Sequence, residues 1–210
     1  MRTILGVVAA TAALSACAAT SAVETDSQAT SAEVTTAASS VTPKDPDLLP
    51  LIDAAALHPC PQSESNPGVA VPGLPSITLR CLGHGPDVNL AGIRGAPLIV
   101  NVWASWCPPC IAEMPILASA ATDLRGRVQF LGVDIQDRDE RALEMLAAFG
   151  ADFPSVVDEP GQIRGLLGIS GPPVTFFVDE RGVIVGRHDG FLPSTEYLNS
   201  LVAEYFGIRR

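Results

Sequence analysis

The sequence predicts an α/β fold in which a central mixed β-sheet is flanked by helices. Three observations carry this reading. Residues 98–104 are apolar on both faces, as a central parallel strand is, and 128–135 read as a second buried strand. Each of these runs leads into a stretch of helical character. Near the C-terminus, two more strand-like runs flank Glu180-Arg181-Gly182, a hairpin signature. Alternation of strand and helix argues for crossover connections within a parallel sheet, and the hairpin adds antiparallel strands.

The elements follow in order. Residues 47–57 read as a short helix, and 58–75 as a loop rich in proline and glycine. Short strands are expected at 77–82 and 88–90, around a turn at 83–86. The strand at 98–104 feeds a helix from Pro108 to about Leu124. A second buried strand covers 128–135, followed by a helix over 138–149 with Gly150 as its C-cap. A short strand at 155–157 and a short helix at 162–167 come next. Strands at 174–179 and 183–188 form the hairpin. Ser194 is placed to cap a last helix that runs through Phe206.

The chain has 210 residues, of which 47% are hydrophobic, and a formal net charge of -10. That balance, with no basic stripe, argues against a nucleic-acid partner. The N-terminus is different in kind. Met1-Arg2 precedes an apolar run from Ile4 to Leu14, too short to span a bilayer as a mature helix. Leu14-Ser15-Ala16-Cys17 then resembles the lipobox of bacterial lipoprotein signal peptides. That resemblance implies cleavage after residue 16 and a lipid on Cys17. An ordinary secretory signal with an incidental cysteine is the alternative. Both place the folded part outside the cytoplasm, where disulfides persist. Residues 17–46, dominated by Ala, Ser and Thr, lack a hydrophobic period and read as a flexible tether. The expected organisation is a signal peptide at 1–16, a lipidated tether at 17–46 and a folded domain at 47–210.

The chemistry is concentrated in Trp103-Ala104-Ser105-Trp106-Cys107-Pro108-Pro109-Cys110. Here a C-x-x-C pair stands where a strand passes into a helix. The first thiol meets the free N–H groups and positive dipole of the helix start, which favour a thiolate. The second lies three residues on, on the same side, and can close a disulfide. Pro108 and Pro109 suit a first helical turn, where no N–H partner is lost. A static disulfide or half of a metal site are the competing readings. The remaining cysteines and the scattered His58, His84 and His188 do not supply the other ligands of a zinc site. Glu113, three residues after Cys110, lies near it on the helix, either as a solvated side chain or as a partly buried acid able to exchange protons with it. Cys60 and Cys81 remain once Cys17 and the C-x-x-C pair are assigned. A structural bridge between them is the economical reading, worth about 3 kcal/mol, and a second redox pair relaying electrons is the alternative. The acids of Asp134-Ile135-Gln136-Asp137 are expected at a strand end, solvated rather than acting electrostatically on the groove.

Taken together, the chain resembles a thioredoxin-fold protein, and more narrowly the TlpA/ResA group of extracytoplasmic thiol-disulfide oxidoreductases. The likeness runs from about Pro72 to the C-terminus. It rests on the W-A-x-W-C-x-P-C segment, on Glu113-Met114-Pro115 after the cysteines, on Gly171-Pro172-Pro173-Val174-Thr175-Phe176 before the hairpin, and on a βα insertion over 135–167. The resemblance implies Cys107 as nucleophile, Cys110 as resolving thiol, Glu113 as proton carrier and Pro173 as a cis-proline facing the cysteines. It places Trp106, Pro108, Pro109 and Pro172 along the substrate groove. Cytosolic thioredoxins carry a buried aspartate where this chain has Asn101, and the TlpA/ResA resemblance implies that Glu113 takes over proton handling. Pro172 stands where Thr or Val is more usual and removes an N–H that a substrate could otherwise use.

The expected function is dithiol–disulfide exchange with protein substrates, without organic cofactor or metal. The site would be recharged by a membrane thiol carrier or oxidant, on a lipid-anchored monomer at the outer face of the bacterial cell membrane. Resemblance to the group implies a reductase, acting in cytochrome c maturation. An oxidase that installs disulfides in secreted proteins is the first alternative. A non-catalytic, disulfide-stabilised envelope binding lipoprotein is the second.

Overall fold

The computed structural model describes residues 46–70 and 72–209. The expected signal peptide 1–16, Cys17 and the tether as far as residue 45 lie outside the described residues. Pro46, assigned to the tether, instead opens a 3₁₀ turn, Pro46–Leu48, that leads directly into helix α1 (Leu49–Ala55). A proline suits such a start because it lacks the N–H that would otherwise be left unpaired there. The remaining elements are β1 (Thr78–Cys81), β2 (Val88–Asn89), β3 (Leu98–Trp103), α2 (Pro108–Asp123), β4 (Gln129–Ile135), α3 (Asp139–Phe149), β5 (Ser155–Asp158), α4 (Gln162–Leu166), β6 (Val174–Val178), β7 (Ile184–Asp189) and α5 (Thr195–Phe206).

The strands form one seven-stranded sheet in the order β2-β1-β5-β4-β3-β6-β7. β3, β4 and β5 are parallel to one another, and β1, β6 and β7 are added antiparallel. All six residues of β3 are buried, which its two-sided apolar pattern requires of a central strand. The crossovers β3–α2–β4 and β4–α3–β5 step the same way along the sheet. Right-handed connections therefore put α2 and α3 on one face, where they pack together, with α5 beside α2. Met114 and Leu117 of α2 and Leu198 and Val202 of α5 belong with Ile99, Val100, Val102, Leu131, Val133 and Phe177 to a single buried core.

Caps set the helix ends. Ser194 Oγ accepts from the Tyr197 N–H at the start of α5, and Gly150 ends α3 in the left-handed region at φ 61. One glycine serves close approach. A side chain on Gly132, in the middle of β4, would run into Ser155 Oγ and Trp103 Nε1. That gap lets the Trp103 indole lie across the sheet. Cys60 and Cys81 are joined by a disulfide that fastens the loop after α1 to β1, and both are buried.

Candidate active site

β3 delivers the chain to one edge of the core, and the turn Ala104-Ser105-Trp106 carries it into α2. Cys107 is the N-cap of that helix, with φ -94 and ψ 107. Its Sγ accepts from the Cys110 N–H at 3.2 Å, so a free backbone donor at the helix start is spent on sulfur. Pro108 and Pro109 occupy the first helical turn and are exposed. Cys107 and Cys110 are disulfide-bonded, with Cα atoms 5.2 Å apart. Cys107 retains 2% exposure and Cys110 none, so an incoming thiol meets Cys107 first. Trp106, 52% exposed, stands beside it, and its indole N–H donates to the Gln136 carbonyl at 3.0 Å.

The loop before β6 closes the other side. The Pro172–Pro173 peptide is cis, and the Pro172 carbonyl oxygen lies 3.6 Å from Cys107 Sγ. Pro173 itself is buried, and its carbonyl receives the Gly190 N–H at 2.9 Å.

Glu113 lies one helical turn beyond Cys110 and is fully buried. Its Oε1 accepts from Asn101 Nδ2 at 2.9 Å and its Oε2 from the Leu192 N–H at 2.9 Å. The same Asn101 nitrogen donates to Thr175 Oγ1 at 3.0 Å. Burial raises the Glu113 carboxyl from 4.5 to about 7, against the pull of those two hydrogen bonds. A group so tuned can hold or release a proton near neutrality. Thr175 and the Leu192 amide were not singled out from sequence. Thr175 had a signal in the P-x-T-F segment, whereas a backbone N–H from residue 192 has none.

The expectation of solvated acids at 134–137 is corrected. Asp134 is wholly buried, and Asp137 receives the Ser105 N–H at 2.5 Å and the Ser105 hydroxyl at 2.9 Å. The signal was an acid inside the otherwise apolar run of β4. His58 and His84 are exposed and His188 half-buried, and among the described residues no three His, Cys, Asp or Glu side chains converge as a metal set would.

Residues 69–202 match the Redoxin family. The thiol:disulfide interchange protein DsbE of Pseudomonas fluorescens biotype C is 34% identical over 132 residues, covering 62% of this chain and 72% of that protein. The DsbE homolog of Paracoccus denitrificans is 40% identical over 107 residues, covering 50% of this chain and 58% of that protein. The chain thus spans only about three fifths of the length of several curated relatives, up to the 72% of the P. fluorescens protein. Among solved structures, MTB dsbF superposes with a TM-score of 0.58 at 26% identity, covering 66% of this chain and 99% of that one. A thioredoxin-family thiol:disulfide interchange protein from Chlorobium tepidum TLS gives 0.56 at 25% identity, covering 64% and 96%. The sheet order, the disulfide at the head of α2 and these likenesses agree on a thioredoxin fold, and the chain belongs to the Redoxin family.

Proposed function

We propose that this protein is an extracytoplasmic thiol-disulfide oxidoreductase whose working pair is Cys107 and Cys110. The observation that carries the proposal is the disulfide at the N-terminus of α2, with Cys107 the less buried of its two cysteines. Interchange relatives and a shared fold support it.

The chemistry follows from the geometry. In the reduced form the Cys107 thiolate, favoured by the helix start, attacks a substrate disulfide and expels one substrate thiolate. Cys110 loses its proton and attacks Cys107 Sγ in the mixed disulfide. The second substrate thiolate leaves, and the Cys107–Cys110 disulfide remains, as seen here. Glu113 is the proton acceptor for Cys110. It is buried on the same helix face, and its raised carboxyl is a stronger base than an ordinary glutamate. Trp106, Pro108, Pro109 and Pro172 border the sulfur and form the groove for an extended substrate segment.

The direction we propose is reduction of protein disulfides, with apocytochrome c as the substrate class that the TlpA/ResA resemblance implies. A membrane thiol carrier supplies the electrons, and Cys17, once lipidated, holds the domain at the membrane. The Cys60–Cys81 bridge is structural in this reading. It sits on β1, three strands from β3 and so about 14 Å away across the sheet. That span is too long for direct exchange with Cys107.

Equilibration of the purified protein against glutathione, with insulin reduction measured in parallel, tests the proposal. A potential near or below about -250 mV supports the reductase, and one near -120 mV supports the oxidase. Equal insulin-reduction rates for wild type and Cys107→Ser would reject catalysis and leave the binding lipoprotein.

A further inference from the structure

The exit of β4 holds a pair of carboxyls that thiol–disulfide exchange does not use. Asp134 is wholly buried, and neither of its carboxyl oxygens meets an N–H or O–H donor. The Asp137 carboxyl lies within hydrogen-bonding reach of it. Two carboxyls so placed satisfy one another only when one is protonated and donates to the other. The roles are set by their other contacts. Asp137 receives the Ser105 N–H, the Ser105 hydroxyl and, at 2.8 Å, the Arg138 N–H. Asp134 has no such donor, so the proton stays there. Burial first, and then the neighbouring Asp137, push it up to about 9.

The backbone that brings the two acids together also grips the active-site turn. Gln136 adopts φ 51, a left-handed conformation uncommon outside glycine, and reverses the chain at the strand end. Its N–H donates to the Asp158 carbonyl at 3.2 Å, and its own carbonyl receives the Trp106 indole N–H. Three hydrogen bonds therefore run from Ser105 and Trp106 to residues 136 and 137. Cys107 is the next residue, and its N–H closes the same turn on the Ala104 carbonyl at 3.2 Å.

The other charges around Asp134 do not replace this pairing. Asp139, at the start of α3, adds repulsion. Arg80, on β1, pulls the other way but is engaged by Asp139 through contacts of 2.8 and 2.7 Å. The residues paired with Asp134 on β3 and β5 are the uncharged Trp103 and Val157.

We propose that protonated Asp134 donates to Asp137 and that this acid pair is the clamp that sets the turn ahead of Cys107, so that Asp134 is a positioning residue whose ionisation loosens the turn. On ionisation the proton passes to solvent, two carboxylates face each other, and the Ser105 bonds to Asp137 weaken. The consequence for exchange at Cys107 rests on the oxidoreductase reading, whereas the clamp does not.

The test is nuclear magnetic resonance on the oxidised full chain, titrated from about pH 5 to about pH 10. The Asp134 carboxyl carbon, the Ser105 amide and the Trp106 indole are expected to shift together with one midpoint near pH 9. In Asp134→Asn, a side-chain donor that does not titrate keeps the neutral-pH positions of Ser105 and Trp106, and their alkaline shift disappears. Asp134 titrating at the ordinary 3.8, or a Ser105 shift that persists unchanged in Asp134→Asn, overturns the proposal. Asp137→Asn provides a second arm should the first variant not fold. It is expected to lower the Asp134 midpoint, and an unmoved midpoint overturns the pairing. Because all readouts are resonances, absence of exchange activity would count against the oxidoreductase reading and leave the clamp standing.

Discussion

Asn101 presents its side-chain nitrogen to the buried Glu113 carboxyl at 2.9 Å. The strand position that faces this buried acid is therefore neutral. An amide has both a donor and an acceptor end, so a half-turn about its last bond lets it serve either protonation state of Glu113. Its oxygen has no donor partner here, because the nitrogen serves Glu113 and Thr175 together. Burial dominates the state of Glu113, with the Leu192 and Asn101 hydrogen bonds both pulling toward its charged form.

The first prediction concerns stability against pH. The Glu113 carboxyl stands at about 7 in the folded protein and 4.5 when free. A raised value means that the folded state holds the proton more tightly. Its contribution is fully present below about pH 4.5 and is lost as pH rises through 7. Chemical denaturation of wild type and Glu113→Gln is expected to show the variant gaining on wild type between pH 5 and pH 8. The gain is bounded by about 3 kcal/mol, from the size of the shift. A difference that does not change with pH contradicts the raised value.

Asn101→Asp reverses the neutral arrangement. A second carboxyl at hydrogen-bonding distance from Glu113 cannot ionise alongside it without repulsion, in a site buried from bulk solvent. The variant is expected to lose about 1–3 kcal/mol at pH 8 and to recover much of this at pH 5, where one proton can be shared. Equal losses at both pH values would point to packing instead.

Much of this was legible in the chain. The apolar runs gave β3 and β4, Ser194 and Gly150 gave helix ends, and the C-x-x-C at a strand–helix junction gave the disulfide site. Each is a local signal, carried by residues adjacent in sequence. Asp134 was misread because strand-end acids are usually solvated. Its burial comes from packing around the end of β4, which a tetrapeptide alone does not encode. The Leu192 bond to Glu113 spans 79 positions and is made by a backbone group, so no residue type announces it.

The Cys60–Cys81 bridge closes a loop of 21 positions. Replacing both cysteines by alanine is expected to cost about 3 kcal/mol, since the bridge limits the unfolded chain. The redox equilibrium of Cys107–Cys110 against glutathione is expected to stay put. A shift in that equilibrium would revive the electron-relay reading of the pair.

Gly132→Ala probes how the sheet makes room for Trp103. The glycine pairs with Asn101 on one side and Ser155 on the other, at the centre of the parallel strands. An added methyl group meets the Trp103 indole nitrogen at 2.6 Å and collides with Ser155 Oγ, both on buried side chains held by the surrounding core. Relief requires moving Trp103, the last residue of β3, and the strand leads straight to Cys107. Overpacking of this kind costs about 1–3 kcal/mol. The larger effect is expected at the active site, where the displaced strand end carries the Ala104–Cys107 turn with it. Denaturation together with the rate of disulfide exchange checks both parts. Adding Ser155→Gly to the variant removes one of the two collisions and is expected to restore part of each. Loss of stability with an unchanged exchange rate would show that the strand absorbs the strain before it reaches the cysteines.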